Sequence, residues 1–121
     1  MARDRRRAYL LGRQAETLCA WWLRLRGYRI LTRDYRTAPG EIDIVARRGA
    51  ILALIEVKAR PSVAEAAWAI TPRQKARIER AAARLLQERP ELSRLSLRFD
   101  AMLVAPGRLP VHLTDAWRPD A

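Results

Sequence analysis

Four charged residues on two neighbouring segments could do chemistry together. Glu41 and Asp43 open the run Gly40 to Ala46, and Glu56 and Lys58 close the run Ile51 to Lys58. Both runs are rich in β-branched residues and read as strands. Gly49 sits between them, and a Gly49-Ala50 loop of type II′ is the simplest connection. That turn pairs Arg48 with Ile51. Counting outward sets Asp43 opposite Glu56 and Glu41 opposite Lys58, with all four side chains on one face. Opposite Cβ atoms lie about 4.5–5.5 Å apart. Two carboxylates that close repel unless a cation lies between them. A divalent metal held by Asp43 and Glu56 meets that need, and Lys58 adds a second positive charge. The plainer alternative is the solvated face of a two-sided hairpin. Against it, Ile42, Ile44, Val45, Leu54, Ile55 and Val57 suit strands buried on both faces, where Asp and Glu rarely sit without a partner. Register decides the matter, because a slip of one residue puts the two carboxylates on opposite faces.

Asp43 followed by Glu56-Val57-Lys58 resembles the Asp…Glu-x-Lys signature of the PD-(D/E)xK nuclease superfamily. More closely, Gly40-Glu41-Ile42-Asp43 with Glu56-Val57-Lys58-Ala59-Arg60 resembles the YraN-like family of small bacterial proteins. Gly27-Tyr28-Arg29-Ile30-Leu31, Tyr35-Arg36, Arg98-Phe99-Asp100 and Asp115-Ala116-Trp117 fit the family pattern in order. The resemblance implies a single-domain, restriction-endonuclease-like α/β fold, with a central mixed β-sheet flanked by helices. It also implies a metal-dependent phosphodiesterase, an endonuclease acting on DNA, with branched or recombination DNA among the candidate substrates. Asp43 and Glu56 would hold Mg²⁺ or Mn²⁺, and Lys58 would orient or activate water. In related resolvase-like nucleases a helix glutamate reaches the metal, and Glu16 is the matching position; its alternative is an ordinary solvated glutamate. Gln74 shares a helical face with Ile78, Ala81 and Leu85 and is expected to point inward. The family places Lys then Gln here, whereas this chain has Gln74-Lys75, so either could face the site.

Composition bounds the rest. A chain of 121 residues, half of them hydrophobic, is one domain with a single core. No apolar run approaches the roughly 18 residues of a membrane span. The N-terminal arginines precede no apolar signal region, so a cytoplasmic location is expected. Cys19 is the only cysteine, which excludes an internal disulfide and fits a reducing compartment. His112 is also alone, so histidine-based triads or metal sites are not expected. Lys and Arg number 24 against 13 Asp and Glu, a formal charge of +11. A polyanion is the natural partner, DNA ahead of RNA. Arg73, Lys75, Arg77 and Arg80 recur along one predicted helix as a face that could track phosphates. A junction resolvase would need two sites and hence a homodimer, but no dimer surface is evident. The competing functions are a nucleic-acid-binding module that cleaves nothing, and a structural partner docking on a nucleoprotein complex through Trp and Leu side chains.

The elements that must position these residues follow from periodicity. Residues 1–7 read as a basic flexible arm, and residues 8–121 as one domain. Ala8 to Arg26 reads as a helix with a core stripe of Leu11, Ala15, Leu18, Trp22 and Leu25. Gly12, one turn before Glu16, is expected to let this helix approach the hairpin. Tyr28 to Tyr35 is a first strand, and the hairpin supplies two more. Pro61 to Ile70 has no clear period and is expected to be a mobile loop. Thr71 and Pro72 begin a second helix that runs to about Gln87. Leu95 to Val104 alternates, with Leu95, Leu97, Phe99, Ala101 and Leu103 on one face and Arg98 and Asp100 on the other, where a mutual salt bridge is the simplest expectation. Pro110 to Ala116 is a short last strand. A helix between two strands predicts a parallel crossover. Trp21 and Trp68 are candidate exposed stacking surfaces, and Trp117 a packing plug.

Overall fold

The hairpin organises the sheet. In the computed structural model, which describes the backbone of residues 2–119 and the side chains of residues 12–119, strand β2 (Glu41–Arg48) turns back into β3 (Ile51–Ala59) with Arg48 opposite Ile51. Gly49 takes φ 60°, as the first position of a type II′ turn requires. Strand β1 (Arg29–Arg36) lies antiparallel on the far side of β2. Strand β4 (Ser96–Val104) runs parallel to β3, from Ile51↔Ser96 to Ala59↔Val104. Strand β5 (Val111–Trp117) closes a five-stranded mixed sheet of order β1-β2-β3-β4-β5. Helices α1 (Ala2–Leu25), α2 (Val63–Trp68) and α3 (Pro72–Glu88) pack on it, and a 3₁₀ turn at Pro90–Arg94 leads into β4. The result is a single-domain α/β fold with a central mixed sheet. Among the described residues no helix is long and apolar enough to cross a membrane.

Each face of the sheet has its own core. One carries Cys19, Ala20 and Leu23 of α1 against Ile44, Ala46, Ala53, Ile55 and Met102. The other carries Ile78, Ala81, Ala82 and Leu85 of α3 against Ile42, Val45, Leu52, Leu54 and Phe99. Helix α2 buries Ala66 beside them, against Ala101 and Leu103. Strand β3 is therefore covered on both sides, which is why it reads as a continuous apolar run.

Several local expectations are corrected. Helix α1 begins at Ala2 rather than Ala8, because Ala and Arg are strong helix formers and nothing in the expected arm stops the helix. Met1 and the side chains up to Leu11 lie outside the described residues. The buried stripe of α1 is Ala15, Cys19, Ala20 and Leu23, whereas Leu18 and Leu25 are 41% and 79% exposed. The helix carries two apolar stripes, and the one with smaller residues lets it lie closer to the sheet. The stretch Pro61 to Ile70 holds α2, because Ser62 caps it by accepting the Glu65 N–H at 3.1 Å. Strand β4 is buried on both faces from Phe99 to Leu103, Asp100 included, and Leu97 is exposed. A strand inside the sheet has no wet side to alternate with. Thr71 does cap α3, with Pro72 in its first turn, and β5 forms where expected.

Gly12 does not provide the close approach expected of it, since a Cβ there would meet nothing within 4 Å. Gly40 does. A Cβ on Gly40 would stand 2.0 Å from the main-chain oxygen of Arg77, so only glycine lets α3 rest on the start of β2. Gly40→Ala is therefore expected to cost several kcal/mol, about as much as severe overpacking of a core. Gly12→Ala is expected to stabilise the helix by about 1 kcal/mol. Chemical denaturation of the two variants beside wild type checks both signs.

Candidate active site

The charged residues meet where the sheet comes apart. The β2–β3 ladder runs from Arg48↔Ile51 to Ile44↔Ile55 and stops, while β3 stays paired with β4 to its end. Asp43 and Glu56 stand one step past the last rung, at the fork. On the other side of β2, the ladder to β1 pairs Arg33 with Ile44 and Tyr35 with Ile42, and leaves Asp34 and Asp43 unmatched between them. Asp34 is in the left-handed region at φ 52°, a conformation that Asp tolerates better than most residues. The alternation of β2 breaks here. Ile44 packs on the α1 side and Ile42, two residues away, packs on the α3 side.

Asp43 and Glu56 are thus brought together as expected, but by strand divergence rather than on a flat shared face. Glu41 does not follow them. It pairs with Arg36 of β1, whose guanidinium is 3.9 Å from its carboxylate, and it is exposed. The fork ends the β2–β3 ladder before a rung for Glu41 and Lys58 can form.

The fork also leaves the Val57 N–H without a strand partner, and it donates to Asp43 Oδ2 at 2.8 Å. Lys58 Nζ stands 3.2 Å from Glu56 Oε1, with both side chains only about one-tenth exposed (12% and 11%). Burial, then the neighbouring Asp43, push the Glu56 carboxyl up to about 8, against the pull of Lys58. Burial also raises the Asp43 carboxyl, opposed by the Val57 N–H and Lys58. Glu16 belongs to the same group: burial, followed by Asp43 and Asp34, lifts its carboxyl to about 7. The buried Cys19 thiol is pushed up to about 12 by burial, with Asp43 and Glu16 adding to it, so it is an inert wall of the site.

Three carboxyls that favour their protons mark a place short of positive charge. Carboxylate oxygens suit Mg²⁺ or Mn²⁺, and Mg²⁺ commonly takes one or two carboxylates and keeps several waters. Among the described residues no three His, Cys, Asp or Glu side chains form a complete metal cage. The donor set that fits is Asp43 and Glu56, with Glu16 in their field.

The helix residues divide. Gln74 does not turn to the carboxylates. Its Oε1 accepts the Thr71 N–H at 3.2 Å while Thr71 Oγ1 accepts the Gln74 N–H, a reciprocal cap on α3. Lys75 Nζ lies 5.8 Å from the centre of the Trp117 ring. Arg73, Arg77 and Arg80 are exposed, as the expected basic face requires. The packing of Gly40 on the Arg77 main chain sets this part of α3 beside the fork.

The remaining motif residues form a second cluster. Asp100, fully buried, accepts from Arg98 Nε and Nη2 at 2.8 Å each and from the Asp115 N–H at 3.0 Å, with His112 Nε2 also at 2.8 Å. Burial alone would raise its carboxyl, but His112, Arg98 and the Asp115 N–H outweigh it and hold it below the usual range. Arg98 reaches on to the Tyr28 hydroxyl. Trp117 stacks on Phe99 at 5.5 Å and donates to Glu79 at 3.2 Å. The expected Arg98–Asp100 bridge and the Trp117 plug are both present. His112 joins this cluster without having been expected there. Its place opposite Met102 in the β4–β5 ladder, beside Asp100, would have been the signal had the register of β5 been known.

The profile of the uncharacterised protein family UPF0102 matches residues 15–104. The chain belongs to this family. Its relatives include UPF0102 proteins of Parvibaculum lavamentivorans, 55% identical over 93% of this chain and 84% of the relative, and of Maricaulis maris, 53% identical over 98% and 94%. A third, from Paramagnetospirillum magneticum, is 51% identical over 90% and 88%. This is the family that the Gly40–Asp43 and Glu56–Arg60 motifs resembled. The UPF0102 match spans Glu16, Asp43, Glu56, Lys58 and Gln74.

Raised carboxyl pKa values fix the sign of a pH effect. Folded and unfolded chains both hold these protons well below pH 4.5, and stability is complete there. Above it the unfolded chain releases them first, so stability falls until pH passes the folded value, about 8 for Glu56 and about 7 for Glu16. Asp100 titrates lower and contributes equally across this window. Metal-free wild type should lose stability from about pH 5 to about pH 8 in urea denaturation with a chelator. Glu56→Gln should match wild type at the acid end, fall less steeply, and exceed it at the alkaline end. Equal slopes would assign the effect elsewhere.

Proposed function

We propose that the chain is a metal-dependent endonuclease-like protein acting on DNA. The observation that carries this reading is the fork itself, where Asp43, Glu56 and Lys58 converge in a half-buried site short of positive charge. Asp43 and Glu56 would hold Mg²⁺ or Mn²⁺. Such an ion supplies a Lewis acid to phosphate oxygens and makes water more acidic. Lys58 does two things on this reading: it balances Glu56 in the metal-free site, and it offers a positive charge where negative charge grows on a phosphate under attack. Glu16 adds negative field that favours the ion. Arg73, Arg77 and Arg80 hold the backbone of the nucleic acid beside the fork, and the charge of +11 supports a polyanionic partner. Branched and recombination DNA remain the finer candidates for substrate, and a homodimer the finer assembly.

One observation favours a second reading, a nucleic-acid-binding module without catalysis. Lys58 already sits on Glu56 at 3.2 Å, as a purely structural ion pair would. The two readings separate on a panel of duplex, single-stranded, flap and four-way DNA incubated with Mn²⁺, with Glu56→Ala protein as the control for contaminating nuclease. Cleavage by wild type alone supports the first reading. Salt-sensitive binding without cleavage supports the second.

Two variants sharpen the roles. Lys58→Ala should keep DNA affinity and lower turnover by about 10²-fold or more, as for removal of a charge that stabilises the transition state. Full turnover with a lowered melting temperature would reduce Lys58 to a structural partner. Replacing Arg73, Arg77 and Arg80 with Gln should flatten the dependence of log affinity on log salt by about 0.9 for each duplex phosphate that is no longer neutralised. It should not change sequence preference, because arginines bound to phosphates carry no base information. An unchanged slope would mean that this face of α3 is only solvated.

A further inference from the structure

We propose that Trp68, on the helix that packs on the same sheet face as Glu56 and Lys58, is a stacking platform for an unpaired base, so that the DNA engaged here carries single-stranded or splayed nucleotides. The inference rests on the nucleic-acid reading above and narrows its substrate.

Glu56 is in register with Ala101, and Lys58 with Leu103. Neighbours in register on adjacent strands project to the same side of a sheet. Glu56 and Lys58 therefore share their face with Ala101 and Leu103, the two residues on which α2 packs through the fully buried Ala66. Trp68 lies two residues beyond Ala66, in the last turn of this short helix. It is 86% exposed, the most exposed of the large apolar side chains described. Small residues, Ala67 and Ala69, flank it, and the chain then passes through the Thr71 cap into the basic face of α3. Along the chain Trp68 thus falls between the strand that carries Glu56 and Lys58 and the exposed arginines of α3.

The other three tryptophans have company. Arg24 lies over Trp21 at 5.4 Å, Arg26 over Trp22 at 4.5 Å, and Phe99 and Lys75 lie against Trp117. Among the described residues Trp68 has no such neighbour on either face. A free indole just ahead of a cationic helix in the chain has the chemistry of a single-strand binding surface: the charge tracks the backbone and the ring takes a base. A base inside a duplex is already stacked on both sides and cannot use it. Trp21, on α1 at the opposite face of the sheet, provides an internal control.

The test uses the metal-free full-length protein at low salt, with a labelled oligothymidine strand and a labelled blunt duplex as probes in fluorescence anisotropy. Trp68→Ala should weaken binding to oligothymidine about tenfold, in the range expected for removal of one base stack, and leave duplex binding unchanged. Trp68→Phe should recover most of the loss, and Trp21→Ala should alter neither probe. An unchanged melting temperature for Trp68→Ala shows that the fold is intact. No effect on oligothymidine, or an equal loss on both probes, overturns the inference. Wild-type binding to duplex alone overturns it and leaves the proposed function standing. Binding to neither probe overturns both.

Discussion

Val57 donates its main-chain N–H to a side chain, Asp43 Oδ2, because β2 has left the ladder by that point. That single exchange of a backbone partner for a carboxylate shapes the surroundings. A buried N–H must find an acceptor, so the fork is tolerable only with an acceptor where Asp43 stands. The carboxylate in turn is held against Glu56, and Lys58 moderates the repulsion. The left-handed Asp34 and the broken alternation of β2 are the local irregularities that open the strands. Gly40 then lets α3 rest directly on the start of β2, beside the opening.

The polar residues fall into two groups with opposite electrostatics. Asp100 is buried with a donor on every side and holds its charge. It ties β4 to β5 and, through Arg98, to Tyr28 just before β1. Glu56 is buried and Asp43 and Glu16 partly so, and burial with repulsion among these carboxyls drives them toward the protonated form. Two sets of acidic residues in one small domain thus do different things. The charge-paired one ties strands together, and the other, with its raised carboxyl pKa values, is the candidate functional site.

The hairpin, its Gly49 turn, the parallel crossover and the Thr71 cap were legible in the sequence, because each rests on short-range chemistry: turn residues, β-branched runs and capping side chains. The proximity of Asp43 and Glu56, though not a ladder rung between them, was legible for the same reason. What the sequence hid were departures from regular period. Period-two counting could not see the break at Asp43, so Glu41 was set against Lys58 when it belongs with Arg36. On α1, two apolar stripes compete, and only packing against the sheet chooses Cys19 and Leu23 over Leu18 and Leu25. The Ser62–Glu65 cap did carry a readable signal for α2, which the lack of a clear hydrophobic period obscured. Gln74 looked inward by helical period, but the same amide also suits the third position of a capping box, and the helix terminus claimed it.

The central claim is that the fork holds a divalent cation through Asp43 and Glu56. Calorimetric titration with Mn²⁺ tests it most directly, on wild type beside Asp43→Asn and Glu56→Gln proteins shown to be folded. Saturable binding by wild type, and its loss or strong weakening in both variants, is the predicted result. Equal affinity in all three proteins, or no binding by wild type, would contradict it.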